Sequence, residues 1–154
     1  DIWLHDLDHP DTLRPLRATP FNEGQARFSP DDRWLAYTSL ESGSPEVYVE
    51  RLEAGGGRYR ISTDGGSLPI WAGDGTAVFF LDVTGRIQRT TLEMRGESLV
   101  IGETVVVTDG VEGGLIRTYD VDRTTGRLVA QRALADRVSD RLQLVTGWQN
   151  LLER

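Results

Sequence analysis

Phe28-Ser29-Pro30-Asp31-Asp32-Arg33-Trp34-Leu35-Ala36-Tyr37 can be laid above Trp71-Ala72-Gly73-Asp74-Gly75-Thr76-Ala77-Val78-Phe79-Phe80 so that aromatic, turn and strand positions coincide. The offset, from Phe28 to Trp71, is 43 residues. A fainter copy begins at Val121 and continues Asp122-Arg123-Thr124-Thr125-Gly126-Arg127-Leu128-Val129, 50 residues after Trp71. Its extra length is expected in a loose stretch from Arg95 to Gly102. The second halves of the units repeat as well. Glu46-Val47-Tyr48-Val49-Glu50-Arg51-Leu52 echoes Asp1-Ile2-Trp3-Leu4-His5-Asp6-Leu7 and, more weakly, Arg86-Ile87-Gln88-Arg89-Thr90-Thr91-Leu92, so the chain is read as opening in mid-repeat.

The turn chemistry accounts for the spacing. Pro30 presets φ for the second position of a tight turn, and Ser29 or Asp31 can hydrogen-bond the turn backbone. The flanking runs then pair as a hairpin. In the first full unit four strands are expected, Gly24 to Phe28, Trp34 to Ser39, Glu46 to Leu52 and Gly57 to Ile61. Alternation such as Val47 and Val49 against Tyr48 and Glu50 sends side chains to opposite faces, and stacked units bury both. A period of about 40 to 45 residues with four strands per unit is the signature of an all-β propeller. The expected divisions are the last two strands of a blade over 1–20, full blades over 21–64 and 65–110, and an incomplete final blade with the C-terminal tail over 111–154. Leu134, Val138, Leu142 and Val145 fall at helical spacing, so 133–146 reads either as a helix or as a loop followed by a strand from Leu142 to Val145.

Composition narrows the function classes. Four Trp and four Phe are too many large rings for a disordered tail. No apolar run approaches the ~20 residues that span a bilayer, and no basic-then-apolar leader opens the chain, so direct membrane insertion is not expected. Without cysteine there is neither a disulfide framework nor Cys-ligated zinc. A net charge of −7, with no clustering of the basic residues, makes nucleic acid a poor partner.

Catalytic constellations are scarce. The sequence has no Gly-x-Ser-x-Gly elbow, no phosphate-cradling loop ending in Lys-Ser/Thr and no kinase signature, so the chain is expected to be non-catalytic. His5-Asp6-Leu7-Asp8-His9 carries the residue types of a zinc or copper site, but on a strand and turn the two imidazoles need not converge. Asp120-Val121-Asp122-Arg123-Thr124-Thr125-Gly126 begins like a calcium loop, yet its Gly falls one place late and no Glu closes twelve residues. Both stretches are read as solvated turns, with no metal and no cofactor. Trp3, Trp34 and Trp71 are expected to pack between blades; Trp148 is left unassigned.

The acids fall on one face. Loops joining fourth to first strands, and second to third strands, share one face of a propeller and carry Glu23, Glu41, Asp64, Asp82, Asp109, Glu112 and Asp136. With Asn22 these are the candidate ligand-binding residues, and among these loops only Arg137 offsets them. A concave face of one sign attracts cations or basic peptides. The alternative is that Asp and Gly are simply turn residues.

Phe28-Ser29-Pro30-Asp31 and Glu46-Val47-Tyr48-Val49 resemble the repeat of the TolB-like, WD-repeat-like bacterial β-propellers, an aromatic-Ser-Pro-Asp-Gly turn followed by an acidic-hydrophobic-aromatic-hydrophobic strand. The run from Asn22 to Ser39, and the ending from Leu142 to Arg154, resemble the C-terminal propellers of bacterial receptor-type Ser/Thr kinases. Asp32 stands where the motif has Gly and Gly73 where it has Pro, which implies turns of another type. Such families close with six to eight blades. The resemblance therefore implies a partial propeller of about three to three and a half four-stranded blades, the C-terminal half of a ring. Its blade edges would pair with the missing half or with another copy. It further implies a sensor or recognition segment of a larger polypeptide on the extracytoplasmic side, binding a protein, peptide or small molecule. The alternatives are the gating propeller of a prolyl-oligopeptidase-like peptidase and a TolB-like periplasmic scaffold.

Overall fold

Along Trp34–Ser39 the side chains alternate between two faces, and both are covered. Trp34 and Ala36 pack one way, Leu35 and Tyr37 the other, and all four are buried. A strand with two buried faces needs a sheet on either side, and the computed structural model supplies them. It describes residues 1–53, 55–108 and 116–132.

Strands β1 (Ile2–Leu4) and β2 (Arg14–Arg17) form an antiparallel pair with a short 3-10 turn at Pro10–Thr12 between them. Strands β3 (Glu23–Phe28), β4 (Trp34–Ser39), β5 (Glu46–Arg51) and β6 (Arg58–Arg60) make a four-stranded antiparallel meander. A second meander follows, β7 (Ser67–Trp71), β8 (Ala77–Leu81), β9 (Ile87–Arg95) and β10 (Ser98–Thr108), and then the pair β11 (Ile116–Val121) and β12 (Leu128–Arg132). The first strand of each sheet faces the next, with β3 and β4 against β7, and β7 against β11.

Three apolar layers hold the four sheets together. Ile2, Leu35, Tyr37 and Tyr48 fill the first interface. Trp34, Val47, Val49 and Ile61 meet Trp71, Val78, Phe80, Leu92 and Leu99 in the second. Leu81, Ile87, Ile116, Tyr119 and Val121 fill the third. Each fully buried large side chain contributes about 1.5–3 kcal/mol relative to exposure, so no sheet would keep its faces dry alone. Polar links cross the interfaces too. The Trp71 indole N–H donates to the Arg27 carbonyl at 3.1 Å, and the Leu99 N–H donates to the Tyr59 hydroxyl at 3.2 Å.

The all-β, bladed architecture expected from the repeat is present, and the four strands of the first unit lie within a residue of their expected limits. Three details differ. The stretch from Arg95 to Gly102 is not loose: β9 and β10 turn tightly at Gly96 into the longest hairpin among the described residues, and the added repeat length is strand. Trp3, expected in a blade interface, is 55% exposed, because among the described residues no sheet covers the face that Tyr48 buries one unit later. The two motif turns are also alike, not different. Ser29 N–H donates to Trp34 C=O at 2.8 Å and Ala72 N–H to Ala77 C=O at 2.9 Å, while Asp32 N–H meets Ser29 C=O and Gly75 N–H meets Ala72 C=O, both at 3.0 Å. Asp32 takes the motif glycine's left-handed conformation at φ 55°, against 74° for Gly75. The segment 133–146 and Trp148 lie outside the described residues.

Candidate functional site

The first strands carry an irregularity at the same place. In β3 the register to β4 shifts between Gly24 and Arg27, in β7 the register to β8 shifts between Ser67 and Ile70, and in β11 the register to β12 shifts between Ile116 and Thr118. A bulge leaves a residue out of the ladder and re-aims it. Gln25 and Leu68 occupy the first two bulges, both with positive φ, 57° and 54°. Leucine rarely adopts this conformation, and it persists only where its surroundings hold it. Here two neighbouring blades do so. The Gln25 side-chain oxygen accepts the Leu68 N–H at 2.9 Å, and the Tyr119 hydroxyl donates to the Leu68 carbonyl at 2.7 Å. Burial pushes the Tyr119 phenol above its ordinary range, so it stays a donor.

Beside Leu68 lies a cavity of about 370 Å³, open toward the loop face. Its walls come from the start of β7, the β8–β9 turn and the start of β11, with Pro45 of the β4–β5 loop at one side. Leu81 and Ile116 are buried at its base, while Val83 is 70% exposed at the mouth. Gly65, at φ 91°, lets the chain pass this wall. A Cβ there would come within 2.3 Å of Val83 Cγ1. A smaller cavity of about 40 Å³ lies nearby, lined in part by Asp64, Gln88 and Thr104.

Asp82 is the expected acid on the larger cavity's wall, and it is a turn builder. Its Oδ1 accepts the Thr84 N–H at 2.8 Å, the Thr84 hydroxyl at 2.6 Å and the Arg86 N–H at 3.0 Å. Its Oδ2 accepts Arg86 Nε and Gln88 Nε2, both at 2.8 Å. Burial alone would raise the carboxyl's pKa, but these donors outweigh it and hold the group well below the usual carboxylate range.

The other expected acids divide. Glu41 is exposed and pairs with Arg58 Nη2 at 2.8 Å, and that hydrogen bond lowers its pKa. Glu23 is buried at the start of β3, where it accepts the Thr19 hydroxyl. Asn22 is exposed and its carbonyl accepts the Leu40 N–H at 3.1 Å. Asp64 is exposed and makes no ion pair with a described residue. Asp109, Glu112 and Asp136 lie outside the described residues. Arg58, on β6, and Arg86 neutralise two of the acids within the fold, while Arg137 lies outside the described residues. The cation on the cavity wall is Arg117, exposed on β11 and without an ion pair or hydrogen bond among the described residues.

The sequence did not single out Gln25, Leu68, Arg117 or Tyr119. The 43-residue offset that relates Gln25 to Leu68 was visible, but nothing in a Gln or a Leu announces positive φ. The other metal candidates resolve into local structure. His9 Nδ1 lies 3.0 Å from Asp6 Oδ2 with both residues exposed, and Asp122 accepts the Thr124 and Thr125 N–H groups at 2.8 and 3.0 Å.

No family model matches the chain. Over 78 residues, 51% of its length, it is 37% identical to a tricorn protease homolog of Streptomyces coelicolor, and the match spans 6% of that protein. Its structure is similar to the crystal structure of TolB from Acinetobacter baumannii, with a TM-score of 0.54 and 18% sequence identity, over 83% of this chain and 36% of the TolB chain. The chain thus spans only a minor part of either protein. At that identity the likeness to TolB is one of fold. The chain has the all-β blade architecture of TolB-like propellers, as an open, partial run of blades.

Proposed function

We propose that the chain is a non-catalytic recognition module, a run of propeller blades within a longer polypeptide whose loop face takes a protein, peptide or small-molecule ligand. The observation that carries this reading is the open cavity of about 370 Å³ at the junction of β7, β8 and β11. Its volume falls in the usual range for ligand sites, roughly 300–1,000 Å³. No histidine or further carboxylate joins Ser67 and Asp82 on its described walls, and Asp82 is tied to Thr84, Arg86 and Gln88, which supports binding over nucleophilic chemistry. The resemblance to receptor-type kinase propellers supports a sensor segment on the extracytoplasmic side. Exposed blade edges support pairing with further blades or a second copy.

The test is retention of a random hexapeptide pool on the immobilised chain, compared with the Ser67→Trp variant, which fills the cavity. Retention by the chain and loss in the variant are expected. Equal retention by both, or hydrolysis of the retained peptides, overturns the reading.

The match to the tricorn protease homolog favours a second reading, in which the blades gate a peptidase whose catalytic residues lie elsewhere in the polypeptide. A reading frame that joins this chain to an α/β-hydrolase sequence would support it. One that joins it to a membrane span and a kinase would support the sensor.

A further inference from the structure

From the walls of the cavity we infer that it takes a peptide C-terminus with an apolar last side chain, its carboxylate held by Arg117. This rests on the recognition reading above and names its ligand. The argument begins with charge. A carboxylate on a cavity wall normally selects a cation, but Asp82 already accepts five hydrogen bonds from Thr84, Arg86 and Gln88, and Arg86 neutralises it. It has no lone pair left to offer a ligand. The Arg117 side chain has no ion pair or hydrogen bond with any described residue, so among the described residues the charge available at this wall is positive. A guanidinium presents a planar fork of donors that matches a carboxylate in bidentate fashion.

The remaining wall is apolar, with Leu68, Leu81 and Ile116 inside and Val83 at the mouth. Leu68 is fixed there by its two inter-blade hydrogen bonds, so the pocket is formed before a ligand arrives. An apolar body with one anionic group is the complement of such a wall. The cavity is also open on the loop face, so the chain that precedes the last residue can leave toward solvent. That geometry suits the end of a peptide. It also reverses the expectation, drawn from the acids of the loops, that this face selects basic partners.

The experiment measures binding of four probes to the full chain by fluorescence anisotropy or calorimetry. They are an acetylated pentapeptide ending in leucine with a free carboxylate, the same peptide as its C-terminal amide, an arginine-rich pentapeptide, and free 4-methylpentanoate. The expected result is that the free acid binds at least about tenfold more tightly than the amide, and that Arg117→Ala abolishes this preference while Arg117→Lys retains part of it. Arg117 is exposed and unpaired among the described residues, so both variants should keep the circular dichroism of the native chain. Equal affinity for acid and amide, or tighter binding of the arginine-rich peptide, overturns the inference but leaves recognition standing. If 4-methylpentanoate binds as tightly as the peptide acid, the ligand is a small carboxylate and the peptide claim falls. If neither these probes nor the hexapeptide pool is retained, the recognition reading fails with it.

Discussion

The Gln25 side-chain oxygen accepts the backbone N–H of Leu68 across a blade boundary, and the two residues are the same position of successive repeats, 43 residues apart. Each sits in a bulge of its blade's first strand with positive φ. A bulge frees a backbone donor, and here one blade's bulge residue satisfies the donor that the next blade's bulge exposes. The same Gln25 oxygen accepts the Thr38 hydroxyl at 2.8 Å, which aims the amide. The Leu68 conformation, and with it the cavity wall, therefore depends on a side chain from another blade.

Gln25→Ala removes both acceptor contacts and leaves the Leu68 N–H to find water. The expected loss of stability is about 0.5–1 kcal/mol, as for a solvent-exposed hydrogen bond whose freed donor can be hydrated. Urea unfolding measures it, and amide exchange at Leu68 should quicken. An unchanged exchange rate at Leu68 would mean that the bond does not hold the bulge.

Asp32 offers the opposite sign. It occupies the left-handed region at φ 55°, in the turn position that glycine holds at Gly75. An L-residue there costs about 1–2 kcal/mol, less for Asp and Asn, and its own carboxylate makes no hydrogen bond with a described residue that would offset this. Asp32→Gly should therefore stabilise the chain by about 0.5–1 kcal/mol despite glycine's looser unfolded state. A rise in Tm or in the urea midpoint is the expected readout, and a fall would show that Asp32 holds the turn by a contact of its own.

These positions mark what was legible in the sequence. The repeat, the two-faced strands and the turn positions could be read because they depend on residue type at fixed spacing. Trp34 and Trp71 indeed lie in one interface, and Val47 and Val49 share a face. Trp3 could not be placed, since whether a sheet covers it is a property of the neighbour and not of the strand. The acids of the loop face were found as residues but not as chemistry. Whether Asp82 presents charge outward depends on Thr84, Arg86 and Gln88 folding back on it, and loop composition alone does not reveal that closure. The bulge residues were invisible for the same reason: Gln25 and Leu68 have ordinary strand-compatible identities, and their φ is imposed from outside.

The saturation of Asp82 has a pH consequence. Its carboxyl titrates well below the unfolded value of about 3.9, so in acid the folded chain binds fewer protons than the unfolded one. The stabilisation it provides is fully present above about pH 5 and is lost as pH falls through 4 and below. Asp82→Asn keeps the shape but turns an amide donor toward Arg86 and Gln88, at an expected cost of about 2–3 kcal/mol at pH 7. That difference from the native chain should shrink steadily below pH 4. Denaturant unfolding from pH 3 to 7 measures it, and a gap independent of pH would assign the loss to shape, not charge.

Gly73 stands where the repeat motif has proline, and the reason lies in the next sheet. A Cβ built at Gly73 would fall 1.7 Å from the Arg123 carbonyl oxygen and 2.6 Å from its carbon, in the turn that joins β11 to β12. The obstacle is backbone, so no rotamer change relieves it, and a proline ring would intrude as an alanine methyl would. This turn is then a docking point between the second meander and the β11–β12 pair, which also share the Leu81, Ile87 and Ile116 layer. Gly73→Ala should destabilise the chain by about 1–3 kcal/mol, the usual range for overpacking. Amide exchange should quicken in β11 and β12 and remain unchanged in β3 to β6. Gly24→Ala is the matched control, because a Cβ there meets nothing within 4 Å, and it should stay within about 0.5 kcal/mol of the native chain. If the two alanines behave alike, the Gly73–Arg123 approach is not what seats the last pair of strands. The cavity walled by β7 and β11 would then have to be held by the apolar layer alone.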